Sequence, residues 1–544
     1  MYWADELVAR LSGPQVVNDS KTPSGTVHVG SLRGPVVLDA IWRALRERGL
    51  EARLLYGVDD MDPMDAQALL TPDAVERYMG MPLARVPAPE GSSAPSYGRH
   101  FAGLFLATFA GLGIHPETYW MSEVYPTGAV DPYVRLALDR ADRVREIYRR
   151  VANVQHPADW HPASVVCEQC GKVGTTIVTD WDGQRVFYEC RPDLVAWATG
   201  CGHSGWVEPF GGRAKLPWNL EWAAQWSIFG VTIEPNGKDL ATAGGSRDRS
   251  DAIAREIFER EPPLNLPYEF LNIGGRKMST SKGRGAAAHT MAEVLPPELL
   301  RFLFLRYRPG HAIDFDPAGD TIPRLFGEFD RVAAATAGHE VKGELPPDHD
   351  RIFALSLLDP DADPGAEAAR FRPDFSQVAM LVQVPGIEVE GRVAAEKGAP
   401  LDLAERVILA DRVHAAQAWL DSYAPDHSRI AVRDELPAEA RHALAEEQRT
   451  FLGALAQSAE VARPGSGEAW QDLIFRVAEE AALPPGRAFA AIYLAFLGRT
   501  NGPRAGWLLA ALEREFTAER LRLAAGWGPE PEGDGLAPAQ EGIA

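Results

Sequence analysis

The N-terminal region constrains the fold most strongly, because a short apolar strand, a glycine-rich turn and an apolar helix follow one another there. Residues 15–18 (QVVN) predict a buried strand, residues 31–48 predict a helix, and residues 53–58 predict a second strand. This order forms a βαβ unit, which implies a parallel sheet and therefore an α/β protein. Such sheets bind ligands beyond the carboxyl ends of their strands, so the turn at 23–30 is the first candidate site.

The composition is that of an ordinary globular enzyme. The chain has 544 residues, of which 46% are hydrophobic and 24% are charged. It contains no apolar run of the roughly 20 residues that span a bilayer, and residues 1–15 lack the pattern of a signal peptide. We therefore expect a cytoplasmic protein without a membrane partner.

The turn at 23–30 (PSGTVHVG) has the chemistry of a phosphate site. Gly25 and Gly30 allow the backbone to approach a ligand, and the helix that follows directs its free N–H groups at the turn. His28 can donate a hydrogen bond to a phosphate oxygen. A purely structural turn is the alternative interpretation.

A second motif, KMSTSKG at 277–283, combines two lysines and two serines on a loop of small residues. Such a loop can hold a departing pyrophosphate, where negative charge develops. An ordinary surface loop is possible, but the two motifs in this order form a specific pair.

All four cysteines fall in one segment, as Cys167, Cys170, Cys190 and Cys201. Four thiolates with a tight first pair predict one closed, structural zinc site, with residues 181–186 as a hairpin between its halves. Free cysteines are the alternative, and His203 is a rival fourth ligand.

The net charge of −21 argues against a nucleic-acid partner, unless one face of the protein is basic. Six arginines cluster on a predicted helix: Arg135, Arg140, Arg143, Arg145, Arg149 and Arg150. A tRNA-facing surface and a solvated helix with ion pairs are both compatible with this cluster.

The two motifs resemble the HIGH and KMSKS signatures of class I aminoacyl-tRNA synthetases, with Val29 for Ile and Thr280 at the fourth KMSKS position. LPWNLEWAAQWSIFGVTIEPNGKD, GGSRD and KMSTSKG together resemble the class I lysyl-tRNA synthetases. The resemblance extends over about residues 16–323.

The resemblance implies catalytic roles for His28, Gly30, Lys277 and Lys282. It implies an ATP site that comprises Pro23, Gly25, His28, Gly30, Gly237, Asp239, Lys277, Ser279, Ser281 and Lys282. In that site Gly237 and Asp239 would lie at the ribose, and the lysines would hold the β- and γ-phosphates.

The resemblance also places the amino acid beside Ser20, Thr22 and Trp218. Three positions depart from the family pattern: Ser20 replaces Gly, Gly34 replaces Glu, and Leu240 replaces His. A buried ε-ammonium needs carboxylates or several acceptors, and the candidates are Asp19, Asp59, Asp60 and Glu221.

The expected fold class is α/β, with a Rossmann-type parallel-sheet catalytic domain, a zinc-binding insertion and an all-α C-terminal anticodon-binding domain. The catalytic domain is assigned to residues 1–95 and 216–290, and the insertion to 96–215 with its zinc segment at 167–203. A helical connector follows at 291–345, the anticodon-binding domain at 346–527 and a disordered tail at 528–544.

The implied activity is ligation of lysine to tRNA(Lys) by a monomer that uses ATP and Mg²⁺ and carries one structural Zn²⁺. The resemblance implies that bound tRNA is required before the first step. A class I synthetase for glutamate or arginine and a non-enzymatic tRNA-binding paralogue are the alternatives. A nucleotidyltransferase is a third alternative, although such enzymes would not need the long helical C-terminus.

Overall fold

A computed structural model of the protein describes residues 1–65, 72–273, 276–277, 291, 294–384, 387–429, 432–433 and 435–526. The chain divides into two compact units. The first comprises Met1–Pro317 and Glu328–Ala369, and the second comprises Ala318–Gly327 and Arg370–Ala544.

The first unit alternates strands and helices. It begins with α1 (Trp3–Val8), β1 (Gln15–Lys21), α2 (Arg33–Glu47), β2 (Ala52–Val58), α3 (Pro72–Tyr78), α4 (Tyr97–Gly111), β3 (Glu117–Trp120), α5 (Met121–Val124), α6 (Asp131–Asp139) and α7 (Ala141–Ala152). It continues with β4 (Ser164–Val165), β5 (Thr176–Trp181), β6 (Val186–Cys190), β7 (Ser204–Val207), β8 (Ala214–Lys215), α8 (Trp218–Phe229), β9 (Ile233–Gly237), α9 (Ser246–Glu256), β10 (Leu264–Tyr268), β11 (Leu271–Ile273), β12 (Arg276–Lys277) and β13 (Ile313–Asp314). Its later helices are Pro297–Leu305, His349–Ser356, Pro364–Ala368 and part of Thr321–Thr336.

Five parallel strands form the main sheet, in the order β10-β9-β1-β2-β3. The chain adds β2 and β3 on one side of β1 and then β9 and β10 on the other. The direction of winding therefore reverses between β1 and β9. Crevices at such reversals are the usual ligand sites of open α/β sheets, and the predicted parallel-sheet fold class is confirmed.

Apolar burial on both sheet faces explains why these segments fold as they do. Val17 in β1 is fully buried, and α2 covers the sheet with the buried face that its helical spacing predicted. The helix Pro297–Leu305 is densely apolar, and its Leu300 and Leu303 have no exposed surface.

Two small antiparallel sheets interrupt the parallel sheet. One has the order β5-β6-β7, and the other pairs β4 with β8. The predicted hairpin at 181–186 is present, with Gly183 at φ 94° and Asp182 accepting hydrogen bonds from two backbone N–H groups of its own turn. The backbone of β8 leads directly into α8.

The described part of the second unit is helical. Its helices are Phe375–Leu381, Val389–Lys397, Leu403–Ser422, Ala438–Ala443, Glu446–Ala462, Gly467–Glu480, Pro485–Leu497, Ala505–Ala511, Arg514–Ala524 and the first part of Thr321–Thr336. The helix Leu403–Ser422 begins with a capping box between Asp402 and Glu405. The predicted all-α character of this region agrees with these helices.

Several element boundaries differ from the sequence prediction. Gly230, at φ 69°, ends α8, and β9 begins three residues later at Ile233. Residues 268–273 contain the end of β10 and then β11, which pairs with β12 and β13 instead of the main sheet. The β3 strand belongs to the main sheet although the sequence assigned it to the insertion, and residues 346–369 belong to the first unit.

No helix among the described residues is long and apolar enough to cross a membrane.

Candidate active site at the carboxyl ends of β1 and β9

A cavity of about 630 Å³ opens where β1 and β9 end. Ser20 and Lys21 line it from β1, and Asn236 and Gly237 line it from β9. The cavity therefore lies at the point where the direction of winding reverses, as the parallel βαβ pattern predicted.

The first motif forms one wall of this cavity. His28 has an extended backbone (φ −78°, ψ 156°), and a 3-10 turn at Val29–Leu32 leads from it into α2. His28, Gly30 and Ser31 line the cavity beside the N-terminal end of α2, which favours an anionic group. Pro23 and Gly25 belong to the same turn but are not among the lining residues.

The opposite wall carries the residues predicted to bind the ribose. Gly237 and Asp239 both line the cavity, and the N–H of Lys238 between them donates to the carbonyl of Tyr268 at 2.9 Å. The structure thus brings together His28, Gly30, Gly237 and Asp239, which are distant in the sequence.

The second motif begins next to this wall. Leu271 lines the cavity and starts β11, and the backbone of Lys277 in β12 pairs with Asn272 of β11. Ser279, Ser281 and Lys282 lie outside the described residues, as does the rest of 278–283. Their predicted roles therefore remain predictions.

All three residues predicted to bind the amino acid line the cavity. The Ser20 side chain lies near the Asp59 carboxylate, and the Thr22 hydroxyl donates to Asp62 at 2.5 Å. Trp218 is 43% exposed, and its ring stacks on Trp222 with the centroids 5.6 Å apart. An indole face is therefore available at the mouth of the cavity.

Carboxylates dominate the wall between these residues. Of the four candidates for an ammonium partner, Asp19, Asp59 and Glu221 line the cavity. Asp60 does not, and both its oxygens accept hydrogen bonds from Ser122, at 2.8 Å from the N–H and 2.5 Å from the hydroxyl. Asp60 therefore has a structural role, and this candidate was wrong.

The three remaining candidates differ in their partners. The Glu221 carboxylate accepts from the Lys215 ammonium at 2.6 Å and from the Tyr125 hydroxyl at 2.7 Å. Asp19 accepts from the N–H of Ser20 at 2.8 Å. Asp59 accepts from the side-chain amide of Gln225 at 2.7 Å.

Burial raises the pKa of each of these carboxyl groups. The pKa of Asp19 rises to about 7 and that of Asp59 to about 6, in the second case also because Asp62 lies nearby. The cations nearby offset only part of the cost of burial, so an incoming cation would stabilise the ionised forms.

Gly34 explains one departure from the family pattern. A Cβ atom at this position would lie 2.7 Å from Asp19 Oδ2 and 2.7 Å from the Tyr268 hydroxyl. Asp19 and Tyr268 therefore fill the space that a side chain at position 34 would need. The Asp19 carboxylate lies where the family's Glu at position 34 would begin.

The polar residues of this cavity that sequence reasoning missed include Lys21, Asp62, Gln225 and Tyr268. Lys21 and Asp62 follow predicted strands, where ligand-binding residues of parallel sheets are expected. Gln225 lies one helical turn after Glu221, so it faces the same side of α8. The sequence carries no comparable signal for Tyr268.

The four cysteines come together in the insertion. Their Sγ atoms all lie within 4.8 Å of one another, with 3.6 Å between Cys167 and Cys201 and 3.6 Å between Cys170 and Cys190. Thiolates around a tetrahedral zinc lie about 3.8 Å apart, given Zn–S bonds of about 2.3 Å. This donor set therefore fits one zinc ion. The His203 ring is tilted against Tyr188, and among the described residues the clustered donors are the four thiols.

The arginine cluster is distributed over α6, α7 and the residue between them. Four of its members form ion pairs with neighbouring acids: Arg140 with Glu259, Arg143 with Glu146 and Glu256, Arg145 with Asp142, and Arg150 with Glu256. These pairs favour a solvated, ion-paired helix over a tRNA-facing surface.

Comparison with known proteins places these features in one family. The family model described as tRNA synthetases class I (K) matches residues 1–358, and a model of an anticodon binding domain matches residues 424–525.

Three curated relatives match nearly the whole chain, and each is named lysine–tRNA ligase. The relative from Methanosarcina barkeri strain Fusaro is 34% identical and covers 98% of this chain and 99% of its own. The relatives from Archaeoglobus fulgidus and Methanocaldococcus jannaschii are 35% and 33% identical. Each alignment covers 96% of this chain and 100% of the relative's own length. The protein belongs to the class I tRNA synthetases (K).

Proposed function

We propose that this protein is a lysine–tRNA ligase, which activates lysine with ATP and transfers it to tRNA(Lys). The observation that carries the proposal is the cavity where β1 and β9 end, which is lined both by a phosphate-type turn and by several carboxylates. The full-length relatives with this activity in their names support the same assignment.

In the first step the lysine carboxylate attacks the α-phosphate of ATP, and pyrophosphate leaves. The substrate carboxylate is already ionised at neutral pH, so no protein base is required. His28, Gly30 and the N-terminal end of α2 stabilise the phosphates, with Pro23 and Gly25 shaping the turn. Mg²⁺ that accompanies ATP would offset the negative charge of the phosphates.

Gly237 and Asp239 hold the ribose, at the end of β9 and just after it. Lys277, Ser279, Ser281 and Lys282 hold the leaving pyrophosphate. Leu271 of β11 lines the cavity and β11 pairs with β12 at Lys277, and these two contacts support this role.

The amino acid occupies the part of the cavity between Ser20, Thr22 and Trp218. Asp59 binds its ε-ammonium. The Asp59 carboxylate lines the cavity and accepts a hydrogen bond from the Gln225 side-chain amide, but it forms no ion pair among the described residues. The Trp218 ring covers the aliphatic stem or the ammonium.

In the second step the 2′-hydroxyl of the tRNA terminal adenosine attacks the adenylate. The helical region at 424–525 reads the anticodon, whose unstacked bases can be splayed onto a protein surface. The protein acts as a monomer in the cytoplasm, and light scattering at working concentration would measure its mass.

The four cysteines hold one structural Zn²⁺. A closed set of four thiolates leaves no open position for substrate, so the metal would stabilise the insertion and would take no part in the chemistry.

The test is aminoacylation of total tRNA with each amino acid in the presence of ATP and Mg²⁺. The double variant His28→Ala, Lys282→Ala should lose charging. The matched control is His339→Ala, Lys342→Ala, which changes the same residue types at exposed positions outside the cavity.

Charging with lysine alone, lost only in the first variant, supports the activity and the site together. Charging with glutamate or arginine would keep the reaction class and reject the substrate. Binding of tRNA without charging by any amino acid would reject the enzyme in favour of a tRNA-binding paralogue.

A further inference from the structure

A lysine of the protein itself lies behind the carboxylate wall. Lys215, on β8, is 4% exposed, and its ammonium lies 2.9 Å from Asp62 and 2.6 Å from Glu221. The ammonium also donates to the carbonyl of Leu216 at 3.1 Å. Its three N–H groups are therefore all used within the protein.

Both carboxylates that hold Lys215 belong to the wall of the cavity, whereas Lys215 is not among the lining residues. Asp62 also accepts the hydrogen bond of Thr22, and Glu221 also accepts that of Tyr125. A shift of Asp62 would consequently displace Thr22, which we assign to the amino-acid site.

The charges of this cluster do not balance. Asp59, Asp62 and Glu221 contribute three carboxylates, Lys215 contributes one ammonium, and Tyr125 is neutral because burial and Glu221 raise its pKa. With all three carboxylates ionised, the cluster would carry a net charge of −2 and would attract a further cation. Among the described residues, Asp59 is the carboxylate of this cluster that makes no ion pair with Lys215.

Lys215 also affects the protonation of its neighbours. Burial raises the pKa of Glu221 to about 7, and the Lys215 ammonium opposes this rise. Burial and Asp62 raise the pKa of Asp59 to about 6, and Lys215 again opposes the rise. Burial alone would lower the pKa of Lys215, but Asp62 and Glu221 raise it, so it remains charged at neutral pH.

We propose that Lys215 is a positioning residue for substrate selection. Its ammonium holds Asp62 and Glu221 in place, fixes Thr22 through Asp62, and leaves Asp59 to receive the ε-ammonium of the substrate. The inference rests on the proposed function, because it names the substrate that this site selects.

The test compares lysine binding by Lys215→Met, Lys215→Arg and the wild-type protein, by calorimetry between pH 6.5 and pH 9. Without the ammonium, Asp59 and Glu221 would retain protons near neutral pH. We expect Lys215→Met to bind lysine about tenfold more weakly at pH 7, with the difference narrowing towards pH 9. Lys215→Arg keeps the charge and should keep the wild-type pH dependence.

Lys172→Met is the matched control. Lys172 is also a buried lysine of the insertion, but its ammonium donates to two backbone carbonyls, of Glu76 and Thr199, each at 2.9 Å. It lies outside the cavity wall. We expect this variant to lose stability and to keep the lysine affinity of the wild type at every pH.

A second variant keeps the test decisive if Lys215→Met does not fold. The double variant Lys215→Met, Glu221→Gln removes the ammonium together with one carboxylate and so preserves the charge of the cluster. It should bind lysine more weakly than the wild type by the same factor at pH 7 and at pH 9, because Thr22 is no longer fixed through Lys215 while the net charge is kept. A folded double variant whose deficit in lysine affinity narrows towards pH 9 would overturn the proposal.

The proposal is also overturned if folded Lys215→Met binds lysine like the wild type at pH 7, or is weakened equally at all pH values. Affinity for ATP serves as a further measure and should change less than about twofold in the variants that fold. A wild-type protein that does not bind lysine would instead reject the proposed function, so the two failures are distinguishable.

Discussion

At the scale of single residues, the cavity is defined by carboxylates that lie next to one another in the structure but have different roles. Asp59 and Asp60 are consecutive, yet Asp59 lines the cavity, whereas Asp60 accepts two hydrogen bonds from Ser122. β2 ends at Val58 and Asp60 already lies in a turn, so the two side chains have different partners. The sequence identified both as candidates and could not separate them.

Asp59→Asn should therefore impair lysine binding specifically. Removing one partner of a buried charge pair costs several kcal/mol, so we expect lysine affinity to fall at least thirtyfold or so. Calorimetric titration with lysine is the measurement. Asp60→Asn is the control, and it should lower the melting temperature while lysine affinity is unchanged. Equal effects of the two changes on lysine affinity would contradict the assignment.

Asp19 should make the stability of the free protein depend on pH. Burial raises its pKa to about 7 in the folded protein, above the value of about 3.9 in an unfolded chain. Protonation of Asp19 contributes to the free energy of unfolding. This contribution is fully present below about pH 4 and is lost as the pH rises through about 7.

Asp19→Asn removes this ionisation. At pH 8 it should increase the free energy of unfolding by on the order of 1 kcal/mol and so raise the melting temperature. At pH 5 the increase should be smaller. Thermal unfolding at the two pH values measures the difference. Asp193→Asn, an exposed change in the insertion, should show no such pH dependence. A gain for Asp19→Asn that is equal at both pH values would refute the expected linkage.

At the scale of elements, local patterns predicted some parts of the fold well and others poorly. The β1–α2–β2 unit follows from apolar periodicity and a glycine turn, and the hairpin between β5 and β6 follows from its Asp-Gly turn. The β3 strand has four residues, too few for a periodic signal, and only its pairing with β2 identifies it.

The residues of the candidate site could likewise be predicted only where they belong to local motifs. The residues around His28 and the four cysteines belong to motifs whose spacing is local. The partnership of Lys215 with Asp62 joins segments that are far apart in the chain, and neither residue belongs to a recognisable motif. Sequence periodicity contains no information on such pairs.

The cysteine cluster should behave as a single metal-dependent element. We expect one zinc per chain by elemental analysis, and loss of zinc in Cys170→Ser, Cys190→Ser. Loss of a structural zinc also removes several kcal/mol of local stability. Gln169→Ser, an exposed change between the first two cysteines, should retain the metal. A wild-type protein purified without chelators and free of zinc would contradict the expectation.

At the scale of the whole molecule, the chain forms two compact units with different compositions of secondary structure. The cavity, the cysteine cluster and the parallel sheet lie in the first, and the helices of the anticodon-binding region lie in the second. Ligands that bind only one unit stabilise that unit by mass action.

Scanning calorimetry should therefore resolve two transitions, of which lysine shifts one. At a lysine concentration about 100 times its Kd, the added stability is about 2.7 kcal/mol, which corresponds to an increase of a few degrees. The same scan of Asp59→Asn should show almost no shift. Equal shifts of both transitions would show that the units unfold cooperatively.

The unbalanced carboxylates of the cavity have a consequence for the protein before substrate arrives. A cavity lined by more anionic than cationic side chains would attract small cations or protons. A cation that fits the cavity better would then displace them. Lysine then binds by exchange, so its apparent affinity reflects the salt and acidity of the surroundings as much as the shape of the pocket.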